Sequence, residues 1–227
     1  PAAGDAGATA PLGPTATSPP HRPIPADTAR TLAGLFAQRV DRTPNALAYR
    51  EFADGAWREH SWADMARAVS RWRTGLAGEH LEPGERVALS VPNGVDWVCL
   101  DQAALALGLV TVPLYTTDSP GNMVHILADS GARLLLLDRD EQWTALLEHG
   151  TPLPALKRVL CRRRSGACQE PRLQAVHEWL PERSDGDATP YAATAVDAAD
   201  GPVNHADADP DATATLVYTS GTTGPPK

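Results

Sequence analysis

The chain has 227 residues, of which 42% are hydrophobic, and it carries a formal net charge of -8 with an isoelectric point near 5.3. This length and apolar content suffice for one sizeable core or for part of a larger domain. The negative charge argues against nucleic acid or an anionic membrane as the main partner, and the longest apolar runs, around 103–112 and 134–137, are too short to span a bilayer.

Cysteine and histidine usage gives no sign of a metal site or a disulfide framework. Cys99, Cys161 and Cys168 are an odd number without metal spacing, and the seven histidines follow no ligand pattern. Cys99 falls on an apolar predicted helix, so we expect it to be a buried small hydrophobe. No charged-then-apolar signal peptide opens the chain. A reducing cytosol is the expected compartment, and peripheral contact with a membrane stays open.

The first predicted elements are a tail, a helix and a hairpin. Residues 1–26 are rich in Pro, Ala, Gly and Thr and almost lack large apolar side chains, which predicts a disordered tail. From residue 27 on, apolar residues recur at helical spacing over 32–40. Two strands follow, over 46–52 and 57–60, joined across Asp54-Gly55, a favoured hairpin turn.

A second amphipathic helix follows the hairpin. Ser61 is its predicted N-cap, and Asp64 stands at the third position after it. The apolar residues of this helix lie on one stripe, which indicates core packing rather than a cofactor site. They are Trp62, Met65, Val69, Trp72 and Leu76.

The middle of the chain alternates strands with helices. The predicted strands are 86–91, 110–115 and 133–137, and the predicted helices are 95–109 and 119–129, the latter ended by Gly131. Such alternation requires crossover connections and predicts a parallel sheet of a nucleotide-handling α/β domain. No G-x-G-x-x-G follows any of these strands, so a dinucleotide fold of the Rossmann type is not supported.

The pattern weakens after this unit. A helix over 141–149, a strand over 157–161 and a helix over 173–180 are predicted. The basic run Arg162-Arg163-Arg164 is interpreted as a solvated loop, with an anion site as the alternative. Residues 162–211 are expected to form a mostly irregular connection, with a long acidic surface stretch over 185–211.

The last ten residues, YTSGTTGPPK (218–227), follow a short β-type run over 213–217. Glycines that let backbone N–H groups close on an anion, hydroxyl side chains and a final ammonium together make a set of phosphate ligands. Lys227 is one of only two lysines in the chain, beside Lys157. The spacing is not that of a Walker A loop, and the alternative interpretation is a Gly/Thr/Pro surface turn.

The run YTSGTTGPPK resembles the signature loop of the adenylate-forming superfamily, which includes AMP-forming acyl-CoA synthetases, adenylation domains of peptide synthetases and luciferases. The block over 105–115 resembles a second block of the same superfamily. Its ending at Tyr115 and the run over 126–132 look most like long-chain fatty acid–CoA ligases. The resemblance implies a partial N-terminal domain of the adenylate-forming fold over 27–227, a mostly parallel sheet flanked by helices with an N-terminal hairpin.

In that superfamily the loop holds the β- and γ-phosphates of ATP while a carboxylate attacks the α-phosphorus, and coenzyme A then displaces AMP. The resemblance thus implies ATP, Mg²⁺, a fatty acid and coenzyme A as partners of the intact enzyme. It assigns phosphate binding to Thr219, Ser220, Gly221, Thr222, Thr223, Gly224 and Lys227. Thr219 is also the candidate Mg²⁺ contact, and no catalytic residue is assigned in this segment.

Two features suggest a piece of a longer protein: the first residue is proline, and in the superfamily the acyl pocket, the hinge and the C-terminal domain all follow the loop. We therefore expect the chain alone to be inactive and not to bind ATP at micromolar concentration. Two alternatives stay open. One is an adenylating enzyme that loads a carrier protein, and the other is a non-catalytic nucleotide-binding module. A third possibility, a P-loop NTPase, is excluded because the spacing of the loop residues is not that of a Walker A sequence.

Overall fold

The computed structural model describes residues 23–53, 55–166, 168–181 and 209–219. The helices in these ranges are α1 (Ala26–Ala29), α2 (Leu32–Arg42), α3 (Trp62–Ala77), α4 (Val95–Ala106), α5 (Pro120–Ser130), α6 (Asp140–Glu148) and α7 (Val176–Trp179). The strands are β1 (Leu47–Ala53), β2 (Ala56–Ser61), β3 (Arg86–Ser90), β4 (Val110–Pro113), β5 (Leu134–Arg139), β6 (Arg158–Arg163) and β7 (Leu173–Ala175).

A parallel five-stranded sheet organises the fold. Its order is β4-β3-β5-β6-β7, and every neighbouring pair runs in the same direction. Val87 in β3 lies opposite Thr111 on one side and Leu134 on the other. The predicted alternation of strands and helices, and the parallel sheet it implies, are confirmed.

The sheet separates two hydrophobic clusters. Val87 and Leu89 point into the cluster beneath α2, α3 and α4, whereas Ala88 between them points into the cluster beneath α5 and α6. The central strands are buried on both faces, as near-continuous apolar strands of a parallel sheet must be. Helices cover both faces, so the sheet presents its edges and strand ends for other contacts.

The hairpin and the helix after it form as their local sequence predicts. β1 and β2 pair antiparallel, and Gly55 adopts a positive φ of 78° in the turn. Ser61 accepts the Asp64 N–H at 3.1 Å, and the Asp64 carboxylate accepts the Ser61 N–H at 2.9 Å, which completes a capping box. The predicted core stripe of α3 is buried, with Trp62 packed against the same cluster.

The N-terminus of α4 takes its cap from a distant side chain. Gly94 precedes the helix and has no side chain to offer, and the Glu51 carboxylate of β1 accepts the Val95 N–H at 3.0 Å. A carboxylate at a helix N-terminus also interacts favourably with the helix dipole. Glu51 thereby ties the hairpin to the layer of helices that covers the parallel sheet.

We expect Glu51→Ala to reduce stability by about 1 kcal/mol, since it removes this cap. Thermal unfolding of the full-length protein, with hydrogen exchange of the α4 amides as a local measurement, tests the effect. Glu59→Ala is the matched control, because Glu59 lies on β2 in an exposed ion pair with Arg50 and such pairs contribute little. Equal α4 protection in the two variants would contradict the capping role.

Helix α5 is bounded by the predicted signals. The Ser119 side chain accepts the Asn122 N–H, Pro120 occupies the first turn, and Gly131 ends the helix at a φ of 60°. The preceding helix is shorter than predicted. The expected helix over 95–109 ends at Ala106, because Gly108 turns the chain with a φ of 69° ahead of β4.

The predicted helix over 173–180 is wrong in its first half. Leu173–Ala175 forms strand β7 instead, and only Val176–Trp179 is helical. Val159 and Cys161 of β6 lie opposite Leu173 and Ala175, so hydrogen bonds from the sheet edge override the local helical pattern.

The interpretation of Arg162-Arg163-Arg164 as a solvated loop is also wrong for its first two residues, which complete β6. Arg162 bonds Asp96 at 2.7 Å and Asp138 at 3.1 Å, and Arg163 also pairs with Asp138. These carboxylates neutralise both guanidinium groups, which disfavours the anion-site alternative as well. The pairs join α4 to the carboxyl ends of β5 and β6.

Two of the predicted regions, the tail over 1–26 and the connection over 162–211, lie partly within the described residues. Of the tail over 1–26, residues 23–26 are described, and Ala26 begins α1. Within the connection predicted over 162–211, the described residues include the end of β6, β7 and α7. Residues 182–208 lie outside the described part.

Candidate functional site

A cleft lies at the carboxyl ends of β3 and β4. Its volume is about 370 Å³. In parallel α/β sheets this is the edge at which ligands generally bind. The cleft is lined by Val91, Pro92, Asn93, Trp97, Pro113, Leu114, Tyr115, Thr116, Val217 and Tyr218. The final described segment thus forms one wall, opposite the loops that leave β3 and β4.

That segment, residues 209–219, lies beside β4. The expected strand over 213–217 is reduced to an isolated parallel bridge between Thr215 and Thr111. Around it, the Thr111 N–H donates to Ala214 O at 3.0 Å, and the Leu216 N–H donates to Thr111 O at 2.9 Å. The Thr215 hydroxyl also donates to Thr111 O at 3.0 Å. The segment is therefore fixed to the sheet edge at one point of its length.

Side chains of this segment alternate in burial. Ala214, Leu216 and Tyr218 are half-buried, whereas Thr215, Val217 and Thr219 are exposed. Leu216 and Tyr218 pack against the cluster beneath α5 and α6. This two-residue period is that of an extended chain lying on an apolar surface.

Tyr218 makes the contact nearest to the predicted phosphate loop. Its hydroxyl donates to Asp129 Oδ2 in the last turn of α5 at 2.6 Å. Burial, the hydrogen bond to Asp129 and the charge of Asp129 raise the pKa of Tyr218 to about 12, although the nearby Arg86 opposes the shift. Tyr218 is therefore protonated at physiological pH and acts as a donor.

Of the predicted phosphate ligands, Thr219 alone falls within the described part of the chain. Thr219 is exposed and directly follows Tyr218 at the cleft. The others lie outside the described residues: Ser220, Gly221, Thr222, Thr223, Gly224 and Lys227. The assignment of these seven residues to ATP phosphates stays a prediction.

The described residues offer few side chains that are grouped as metal ligands. No group of three or more His, Cys, Asp or Glu side chains that could hold a metal occurs among them. The exposed Thr219 hydroxyl is a hard oxygen ligand of the kind Mg²⁺ accepts. By its chemistry the Thr219 hydroxyl therefore fits a contact to Mg²⁺, and its assignment to that ion stays a prediction.

Two of the three cysteines, Cys99 and Cys161, belong to the core. Cys99 is fully buried as expected, and burial raises the pKa of its thiol far above the ordinary value. Burial likewise raises the pKa of Cys161 to about 11. Both thiols stay protonated at neutral pH, which disfavours a nucleophilic role.

A second and larger groove, of about 1190 Å³, lies at the opposite end of the strands. Its lining includes Leu32 and Leu35 of α2, Pro83 ahead of β3, and Leu216. The groove is mostly apolar and does not touch the loop start at Tyr218. No described helix is long and apolar enough to cross a membrane.

Sequence reasoning missed two features at or next to the cleft. Asp129 contacts Tyr218 across 89 positions of sequence, and no local pattern indicates such a pairing. Trp97 lines the cleft from α4, although its spacing indicates only an apolar helix. Tyr115, by contrast, stands in a block singled out by resemblance, and it is 68% exposed at the cleft.

A family model described as "AMP-binding enzyme" matches residues 36–227. The long-chain-fatty-acid–CoA ligase FadD15 of Mycobacterium bovis is 33% identical over 196 residues, which cover 86% of this chain and 30% of the ligase. The long-chain-fatty-acid–CoA ligase ACSBG1 of Bos taurus is 27% identical over 205 residues, covering 90% of this chain and 27% of the ligase. The chain thus spans less than a third of the length of these curated relatives.

Solved structures share the fold. The anthranilate CoA ligase AuaEII, in complex with anthranoyl-AMP, superposes with a TM-score of 0.65 at 22% identity, over 89% of this chain and 34% of that one. A Mycobacterium tuberculosis fatty acyl CoA synthetase gives a TM-score of 0.63 at 22% identity, over 88% and 34%. The expected partial N-terminal domain with a parallel sheet and a hairpin is confirmed.

Proposed function

Because this chain belongs to the family of AMP-binding enzymes, we propose that the full-length protein is an ATP-dependent, AMP-forming acid–CoA ligase. Its proposed substrate class is long-chain fatty acids, on the strength of the ligases that align with most of this chain. The carboxylate would be converted to an acyl-adenylate with release of pyrophosphate, and the thiol of coenzyme A would then displace AMP.

The proposal is supported above all by the junction of Tyr218 with the cleft. Residues 214–218 are bonded to β4 and α5. Val217 and Tyr218 line the cleft together with the residues that follow β3 and β4, so the sequence TSGTTGPPK begins beside this cleft. Hydroxyl, N–H and ammonium donors are the groups that a polyphosphate requires. The cleft and the loop start are adjacent, as a site for a nucleotide requires.

The chain's own part in the reaction would be electrostatic. Backbone N–H groups over 220–224 and the hydroxyls of the loop would bind the β- and γ-phosphates, with Lys227 as a cation beside them. Neutralising the departing pyrophosphate and holding it in line with the attacking carboxylate lowers the barrier of the first step. Mg²⁺ bound to ATP would supply further charge compensation, with the Thr219 hydroxyl as its candidate protein contact.

Carboxylate-dependent ATP–pyrophosphate exchange by the full-length protein tests the proposal. Exchange should require a fatty acid, and added coenzyme A should yield acyl-CoA and AMP. A panel of saturated acids of increasing length, with anthranilate as an aromatic comparison, tests the substrate class. Exchange without acyl-CoA formation would favour a carrier-protein acceptor, and absence of exchange with every acid would overturn the adenylation proposal.

A further inference from the structure

We propose that Asp129 is a positioning residue for the phosphate loop, acting through its hydrogen bond to Tyr218. This inference rests on the proposed function, since it assigns a role in ATP binding to a residue outside the loop. Asp129 is contributed by α5, whereas Tyr218 immediately precedes the loop residues Thr219 and Ser220.

The alternation of burial explains why this one bond matters. In the extended segment over 214–219, a shift of one residue would turn every side chain to the opposite side. The bridge at Thr215 fixes the segment to β4, and the bond from Tyr218 to Asp129 fixes it again three residues later. With Tyr218 held inward, Thr219 projects outward as the first hydroxyl of the loop.

The negative charge of Asp129 does not stabilise the helix on which this residue lies. It stands in the last turn of α5, where a negative charge interacts unfavourably with the helix dipole. Arg86, in contrast, donates to the carbonyls of Ser130 and Gly131 and supports the same helix end. The carboxylate is therefore better explained by its bond to Tyr218 than by helix stability.

The Tyr218 ring is suited to transmit this restraint. It packs against the cluster beneath α5 and α6 together with Leu216, so its orientation is limited by apolar contacts as well as by the hydroxyl. Tyr218→Phe removes the hydroxyl and preserves the ring packing. Asp129→Ala removes the acceptor and introduces a strong helix former. Both variants are therefore expected to fold.

The test measures ATP–pyrophosphate exchange by the full-length protein. Each single variant should raise the KM for MgATP by about two- to fivefold, because a hydrogen bond to a charged group at an exposed site is lost. The double variant should be no worse than either single one, since both remove the same bond. The KM for the acid and the melting temperature should stay close to those of the wild type.

Glu148→Ala is the matched control, because Glu148 is an exposed carboxylate at the end of the neighbouring helix α6. It should leave the KM for MgATP unchanged. Wild-type KM in Tyr218→Phe or Asp129→Ala, or multiplying effects in the double variant, would overturn the positioning role. A wild-type protein without any exchange would overturn the proposed function itself, so the two failures are distinguishable.

Discussion

Replacing Lys227 by alanine in the full-length protein is expected to slow ATP–pyrophosphate exchange by about ten- to a hundredfold. A hydrogen bond to a charged partner contributes roughly 1.5–3 kcal/mol, and a phosphate loop without its cation loses such a contact on the departing pyrophosphate. The interaction strengthens as charge develops, so the loss should appear in kcat as well as in the KM for MgATP.

The chain offers its own control for this experiment. Lys157 is the only other lysine, and it is exposed ahead of β6. Lys157→Ala changes the net charge by the same amount at a distance from the loop sequence, and its exchange rate should match that of the wild type. Unchanged exchange in Lys227→Ala would exclude the proposed role of this lysine, whereas an equal loss in both variants would indicate a general charge effect.

Local chemistry explains which parts of the fold the sequence predicts well. The capping box of Ser61 and Asp64, the turn at Gly55 and the stop at Gly131 each depend on residues within three or four positions. The apolar strands of the sheet are equally evident, since a strand buried on both faces must be apolar throughout. These signals were sufficient for the parallel α/β architecture.

The predictions that proved wrong concern segments whose conformation depends on residues far away in the sequence. Leu173–Ala175 becomes a strand because β6 supplies hydrogen bonds at the sheet edge. Arg162 is held in β6 beside Asp96 and Asp138, which stand 66 and 24 positions away in sequence. Periodicity within a window cannot report such partners.

The candidate site likewise has one part that the sequence predicts and another that only the fold reveals. The loop composition indicates phosphate binding without any tertiary information, because the donors are contiguous in sequence. The cleft beside it is built from four separate stretches, the ends of β3 and β4, helix α4 and the segment at Val217 and Tyr218. Only the fold brings these stretches together, and the bond between Tyr218 and Asp129 likewise joins residues 89 positions apart, so neither could be predicted from local sequence.

The second large effect concerns Asp140, whose removal should lower the free energy of unfolding by about 3 kcal/mol. Asp140 is the first residue of α6 and is 1% exposed. Its carboxylate accepts the N–H and the hydroxyl of Ser165 at 3.0 Å and the N–H of Gly166 at 3.2 Å. Asp140→Ala removes these hydrogen bonds at a part-buried junction between α6 and the loop after β6.

Glu141→Ala serves as the control, because Glu141 is an exposed carboxylate in the same first turn of α6. Its replacement should change stability by no more than about 0.5 kcal/mol. Thermal and urea unfolding of the full-length protein provide the comparison. If the two variants were equally stable, the hydrogen bonds of Asp140 would not support the fold to the extent argued.

The same carboxylate predicts a pH dependence. Burial alone would raise the pKa of Asp140, but the hydrogen bonds from Ser165 and Gly166 outweigh it and hold the pKa below the ordinary value. A lowered pKa in the folded state contributes stability that is present above the unfolded value of about 3.9 and is lost as pH falls through the folded value. The free energy of unfolding should therefore decrease as the pH is lowered into the acidic range.

Comparison with Asp140→Asn isolates this group from the other carboxylates. Glu85 and Glu170 also have lowered pKa values, through hydrogen bonds that outweigh burial, but they are present in both proteins and cancel in the difference. The stability gap between wild type and Asp140→Asn should be largest near neutral pH and narrow below about pH 4. A gap independent of pH would mean that the ionised form of Asp140 has no advantage over a neutral amide.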